Sequence, residues 1–320
     1  MLTPYVPAYL TANSTTTRGE TSSCSCTYCL EDFGPIDTAA NVTETILAAA
    51  AEVGALGGGV ICFPNQTLSM DALEETAVAA HEGAAVVLTD EMSNITFLGN
   101  RTTLRPVSNA IEMFVINGAE NITFEGFTFD NSLNGVLQDE IKPSGKTPGG
   151  GIAGLGNAAN CAIRQYSGAN LTVRNCKGIE FHTVVGYTGD NDDDQVLSGT
   201  VIVDGLHADG CVFGLLAEQP EHLFYVNSTY INGIASNNAS SNDPGHGVYL
   251  ANRLGANPYS VKVDNINGYN NTSFTVKIRK GDNPVISNVT VTNCHRGVTV
   301  ENCQPTLSNI RTPTQRRRTG

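Results

Sequence analysis

Apolar and polar residues alternate in short runs through most of this chain. The stretch Asn121-Ile-Thr-Phe-Glu-Gly-Phe-Thr-Phe-Asp-Asn131 sets the pattern, and its opening phrase returns as Asn94-Ile-Thr-Phe, Asn170-Leu-Thr-Val and Asn288-Val-Thr-Val. Looser versions are Val201-Ile-Val-Asp-Gly, Phe224-Tyr-Val-Asn and Val261-Lys-Val-Asp-Asn. Alternation sends one set of side chains into a core and the other outward. Each run closes on Asn, Asp or Gly, residues that tolerate the left-handed backbone of tight turns. The first phrases are 27 and 49 residues apart and later ones 23 to 37. A drifting period in the twenties, lengthened by insertions, predicts a solenoid of stacked β-coils. The expected fold is all-β, a right-handed parallel β-helix. The phrases predict Ile122, Phe124, Leu171, Val173, Val289 and Val291 as inward-facing.

A different period governs the segment before the first coil. Asn41 and Glu44 form a capping-box pair, and Val42, Ile46, Leu47, Ala50 and Val53 fall on one helical face, with Gly54 suited to its end. This predicts one N-terminal α-helix that caps the solenoid. Val60-Ile-Cys-Phe-Pro64 then reads as a strand stopped by proline, with Thr67-Leu-Ser-Met70 the next, and the Ala- and Glu-rich residues 71–84 as a short helical excursion. Residues 1–33, rich in Thr, Ser and Pro and lacking periodicity, read as an extended arm that orders on a partner. The β-helix with its capping helix spans 34–310, and 311–320 is a basic tail. Residues 142–156 read as a protruding loop. The Gly189-Asp-Asn-Asp-Asp-Asp-Gln195 insertion reads as a solvated acidic turn, because it lacks the spacing and closing Glu of a calcium loop.

Composition narrows the partners. The 320 residues carry a net charge of −13 with only 15% charged positions, which disfavours nucleic acid because phosphate binding needs a basic footprint. No run approaches the ~20 apolar residues of a membrane span, and no basic region followed by an apolar one marks a signal peptide. The chain has 9 cysteines. Cys62, Cys161, Cys176, Cys211, Cys294 and Cys303 fall in or beside strands and read as core thiols. Cys24, Cys26 and Cys29 form a CxCxxC cluster on the arm with no nearby His to complete a zinc site. An odd count with a cluster on an arm predicts disulfides to other chains, in an oxidising setting outside the cell. The 12 Asn-x-Ser/Thr sites use the same residues that β-coil turns require, so they do not by themselves predict glycosylation.

The segment from Asp37-Thr to Gly57-Gly-Gly-Val-Ile-Cys-Phe-Pro64 resembles the entry of pectate-lyase-like β-helix proteins, especially phage tailspikes and related virion spikes. In that family a helix plugs the open end and a GGG-x-x-x-FP strand begins the first coil. Here Asn65 stands where a Gly usually follows the Pro, and the paired Asp before the Thr is missing. A second resemblance is local. Gly245-His-Gly247 and Val276-Lys-Ile-Arg279 are similar to the Gly-His-Gly and Arg-Ile-Lys motifs of polygalacturonases, with Lys and Arg exchanged. His246 and Lys277 are 31 residues apart, about one coil and a loop, so the spacing places them on neighbouring coils of one face. The family's carboxylate pair is absent from the corresponding coil, which reads Glu221-His-Leu-Phe-Tyr-Val-Asn227, and Asp204, Asp209, Glu218 and Asp243 fall outside the motif.

These resemblances imply a structural component of a bacteriophage particle: a spike, collar or decoration protein at the virion surface. It would be held by its N-terminal arm to other virion proteins, assembled as a homo-oligomer, and in contact with host-surface polysaccharide. The candidate glycan face is His246, Lys277 and Arg279, with no cofactor and no metal expected. The alternative is a tailspike depolymerase or polygalacturonase-like hydrolase acting on acidic polysaccharide. Tyr225, Tyr230, Tyr249, Tyr259 and Tyr269 read as packing residues or as a sugar-stacking face.

Overall fold

A computed structural model describes residues 27–36, 41–71, 84–107, 112–134, 160–187, 199–218, 220–234, 245–250, 258–272 and 274–312. The described strands pair in parallel from coil to coil and stack in three rows. The first row includes Gly59–Cys62, Ile95–Leu98, Ile122–Glu125, Leu171–Arg174, Thr200–Asp204 and His222–Val226. The second includes Thr67–Met70, Thr103–Pro106, Thr128–Asp130, Lys177–Ile179, His207–Asp209 and Thr229–Ile231. The long strand Ser260–Tyr269 extends both rows and joins them into one 16-stranded sheet. The third row is an 8-stranded sheet that runs from Ala84–Leu88 to Arg296–Glu301.

Alternation fixes which side chains enter the space between the rows. Ile122, Phe124, Leu171, Val173, Val289 and Val291 are all buried in one continuous core, as their phrases predict. The register aligns like with like: Phe97 stands beside Phe124, and Leu171 beside both Ile122 and Val201. The Phe97 and Phe124 rings stack with centroids 5.1 Å apart, and Phe114 meets Phe124 edge-on at 4.8 Å. Such pairs add to the stabilisation from area burial. Tyr225 and Tyr230 are fully buried and Tyr249 nearly so, whereas Tyr259 and Tyr269 are exposed.

The turns between rows depend on residues that accept positive φ. Asn94, Asn121 and Asn170 have φ of 61°, 58° and 63°, and their side-chain amides are linked by hydrogen bonds of 2.8 and 2.9 Å. A second ladder joins Asp204, Asn227 and Asn265. A third joins Asp209, Asn232, Asn270 and Asn293. Asn serves here because it tolerates the left-handed backbone and bonds to the same residue type one coil away.

The capping helix spans Thr43–Ala55 and buries Ile46, Ala49, Ala50 and Val53 against the first coils. Its start differs from the capping box: Asn41 Oδ1 accepts from the Thr43 and Asp71 backbone N–H groups, and Val42 occupies the cap position. Its end differs as well. The helix runs past Gly54, and Gly57 takes the positive φ of 92° that turns the chain into the first strand. The described chain begins inside the stretch read as an arm. Tyr28–Cys29 adds a short parallel strand beside Ile61–Cys62, and Leu30 is fully buried. The excursion before Ala84, the loop at 142–156, the acidic insertion and the final residues 313–320 lie outside the described residues. At the other end the coils extend to the strand Thr306–Arg311, beyond Cys303.

Candidate functional site

In the third row the inward residues Leu215, Ala217, Val248, Leu250, Val276 and Ile278 belong to the main core. The opposite face carries a cluster of its own, which includes Phe213, Leu216 and Tyr249. Register builds columns on this outer face. Phe213 aligns with His246, His246 with Phe274, and Phe274 with Arg296. The imidazole of His246 is therefore sandwiched. It lies 5.5 Å from the Phe213 ring at 7° and 5.1 Å from the Phe274 ring at 2°. Tyr249 packs 4.6 Å away on the same strand. The flanking Gly245 and Gly247 leave room for neighbouring carbonyls, since a Cβ on Gly247 would stand 2.5 Å from the Thr275 oxygen.

His246 thus shares a face with Lys277, as the 31-residue spacing predicts, but it is not exposed on that face. Its relative exposure is 0%, and neither ring nitrogen has a hydrogen-bond partner. Burial, reinforced by the Lys277 ammonium, pushes its pKa well below the usual histidine value, so the ring is neutral. A less buried layer lies above it. Lys277 Nζ sits 4.8 Å from the Tyr249 ring centroid, and the Arg296 guanidinium 4.9 Å from that of Phe274. Both cations of the Lys-Ile-Arg motif turn to one carboxylate: Glu301 is 3.8 Å from Lys277 and 3.7 Å from Arg279. Among the described residues, no second carboxylate makes an ion pair with these cations. Of the acids considered in the sequence, Asp204 and Asp209 anchor the asparagine ladders, Glu218 directly follows Ala217, whose register column leads through Leu250 to Ile278 and so places it two coils before Arg279, and Asp243 is outside the described residues.

The same face carries a second polar group further up the solenoid, which the sequence did not single out. Glu112, Arg164 and Tyr166 are buried together. Tyr166 donates to Glu112 Oε1 at 2.9 Å, and Arg164 Nε lies 3.5 Å from the same oxygen. Burial raises the Glu112 pKa, opposed by Arg164 and by the tyrosine hydrogen bond. The available signal was a charged residue inside each of two apolar strands. The insertion between those strands hides their pairing.

Among the cysteines, Cys161, Cys176 and Cys211 are buried free thiols, and burial pushes Cys176 and Cys211 up to about 12. They are inert packing groups. Cys294 and Cys303 are free and only partly buried. Cys29 and Cys62, register neighbours, are both disulfide-bonded. Cys24 and Cys26 lie outside the described residues. Among the described residues no cluster of His, Cys, Asp or Glu is arranged to hold a metal, and no helix is long and apolar enough to cross a membrane.

No protein-family model matches the sequence, and no curated protein is similar to it. Solved structures do align with it. A tailspike protein mutant of E. coli bacteriophage HK620 matches with a TM-score of 0.49 at 14% identity, over 88% of this chain and 55% of that one. The A-module of the mannuronan C-5 epimerase AlgE6 of Azotobacter vinelandii matches with a TM-score of 0.41 at 14% identity, over 88% and 75%. An exopolygalacturonase from Thermotoga maritima matches with a TM-score of 0.34 at 14% identity, over 88% and 90%. At these values the likenesses concern architecture alone. Three parallel rows, left-handed asparagine turns between them and a helix over the first coil define the fold: it is a right-handed parallel β-helix.

Proposed function

We propose that this chain is a surface component of a bacteriophage particle, held through its N-terminal residues, whose third-row outer face contacts host-surface glycan. The observation that carries the reading is the layered face itself: a column of aromatic rings and His246, overlaid by Lys277 and Arg296, with Arg279 and Glu301 at the rim. Cations and a carboxylate set over buried rings supply donors and acceptors on a stiff base, which suits a hydroxyl-rich ligand. Binding is favoured over cleavage. Hydrolysis of a glycosidic bond asks for two carboxylates about 5–9.5 Å apart, and Glu301 is the one that meets both motif cations.

The test is adsorption of the purified full-length chain to envelope polysaccharide of the phage's host. Wild type should bind without shortening the polymer, and Lys277→Gln combined with Arg279→Gln should weaken binding about tenfold. Equal binding by the double variant sinks this reading, and release of oligosaccharides favours the hydrolase. The attachment proposal is tested separately, by electrophoresis of intact particles with and without reductant. Cys29 is disulfide-bonded within the chain, so a covalent link to another chain does not use it. A monomeric band without reductant, with thiols alkylated during lysis, overturns it.

A further inference from the structure

The corner between the first and second rows is a different surface, and its ladder is interrupted. The C-terminal coils place Asn227, Asn265, Asn288 and Asn309 at this corner, all with positive φ and all with bonded side-chain amides. In the earlier coils the same position is held by Gly126, Asn175 and Gly205, with φ of 74°, 50° and 73°. The backbone keeps its left-handed turn, but two rungs have no side chain. Asn175 stands between glycines with no amide on either side to bond.

A groove of about 520 Å³ opens at this interruption. It is lined by Arg101, Glu125, Asn175, Lys177 and His207, with Gly126 in its wall. A Cβ added to Gly126 would meet nothing closer than the Asn100 nitrogen at 3.6 Å, so the missing side chain is what leaves the space. Arg101, Lys177 and Glu125 make no ion pair with any described residue, although Lys177 is half-buried. Two unpaired cations in one groove are unusual on a chain of net charge −13. Burial, and the Lys177 ammonium beside it, lower the His207 pKa and favour its neutral ring.

We infer that this groove binds a carboxylated oligosaccharide lying along the solenoid axis. Arg101 and Lys177 lie two coils apart, roughly 10 Å at the spacing of stacked strands, so they suit separate carboxylates on an extended ligand. Asn175 and Thr128 offer donors and acceptors to hydroxyls, and Glu125 accepts from hydroxyls but repels excess charge. A densely charged nucleic acid is disfavoured by that carboxylate and by the acidic surface around it. The inference does not rest on the third-row face, and the two surfaces are separable by mutation.

The test is fluorescence anisotropy of a labelled tetragalacturonate titrated with the full-length chain, with neutral maltotetraose and inorganic sulfate as competitors. Wild type should bind, weakening as salt rises, and neither competitor should displace the probe at equal concentration. Lys177→Gln should weaken binding about tenfold. Gly126→Asn keeps every cation and suits the left-handed turn but refills the groove, so it should weaken binding to a similar degree while unfolding no earlier than wild type. Lys262→Gln, on an outward position elsewhere, should change nothing. Absence of probe binding, sulfate displacing the probe as well as unlabelled tetragalacturonate does, or full affinity in both Lys177→Gln and Gly126→Asn overturns the assignment.

Discussion

Lys277 lies over the ring of Tyr249, its register neighbour one coil earlier, with Nζ 4.8 Å from the ring centroid. The Lys277 side chain is only 13% exposed, so the contact is largely shielded from water. A cation over an aromatic face in that setting contributes about 1–2 kcal/mol. Lys277→Met should lower the urea midpoint by a corresponding amount, while Lys277→Arg should recover most of it. Equal midpoints for wild type and Lys277→Met would mean that the contact adds nothing.

Acid sensitivity follows from two buried imidazoles. Burial holds the His182 pKa down to about 4, and His246 is also shifted well below its ordinary value. The unfolded chain binds these protons near pH 6.5 and the folded chain does not. The stability is therefore complete above about pH 6.5 and is lost as pH falls toward 4. His246→Phe, continuing the stack of Phe213 and Phe274, should unfold later than wild type at pH 5, with a smaller gain at pH 8. Parallel pH profiles for the two proteins would contradict this.

Removing one member of the buried ion pair should be costly. Glu112→Ala leaves the Arg164 guanidinium enclosed without its carboxylate, a loss of about 3–5 kcal/mol. Glu112→Gln retains an acceptor for Tyr166 and should cost less. Thermal unfolding of the two variants gives the order, and Ala no worse than Gln would refute it.

Much of this fold was legible because its rule is local. Phe124 enters the core for the same reason as Val173, since each sits two residues after an inward Ile or Leu on a strand that alternates. Asn121 and Asn170 were legible as turn residues, though not as partners, because pairing depends on how the coils between them are spaced. The candidate face was half legible. Its spacing put His246 and Lys277 on one side, but the Phe213 and Phe274 rings that bury His246 are 33 and 28 residues away, across loops of unequal length. The interrupted corner was missed for the opposite reason. Gly126 and Gly205 are ordinary turn residues in isolation, and they mark a gap only beside the asparagines of later coils.

The ladders should show their worth in a single rung. Asn270 bonds both Asn232 and Asn293 and has a φ of 57°. Asn270→Ala loses both bonds and adds left-handed strain, about 1–3 kcal/mol together. Asn270→Gly loses the bonds but relieves the strain and should cost less. Chemical denaturation of the pair separates hydrogen bonding from backbone conformation, and equal loss in both variants would assign the whole effect to the bonds.

Those ladders also have a direction. Asn293 donates to Asn270, Asn270 to Asn232, and Asn232 to the carboxylate of Asp209; Asn227 likewise donates to Asp204. Every amide points its N–H toward the earlier coil, so the side-chain dipoles add head to tail along the axis. Each of these runs ends on an aspartate, a residue with acceptors and no donor when ionised. The negative charge sits where the aligned donors converge, as an anion does at the N-terminus of a helix. Stacking polarity is therefore written in the turns as well as in the strands. A coil inserted upside down would confront carbonyl with carbonyl at each corner, so the ladders help enforce that every coil enters the stack facing the same way.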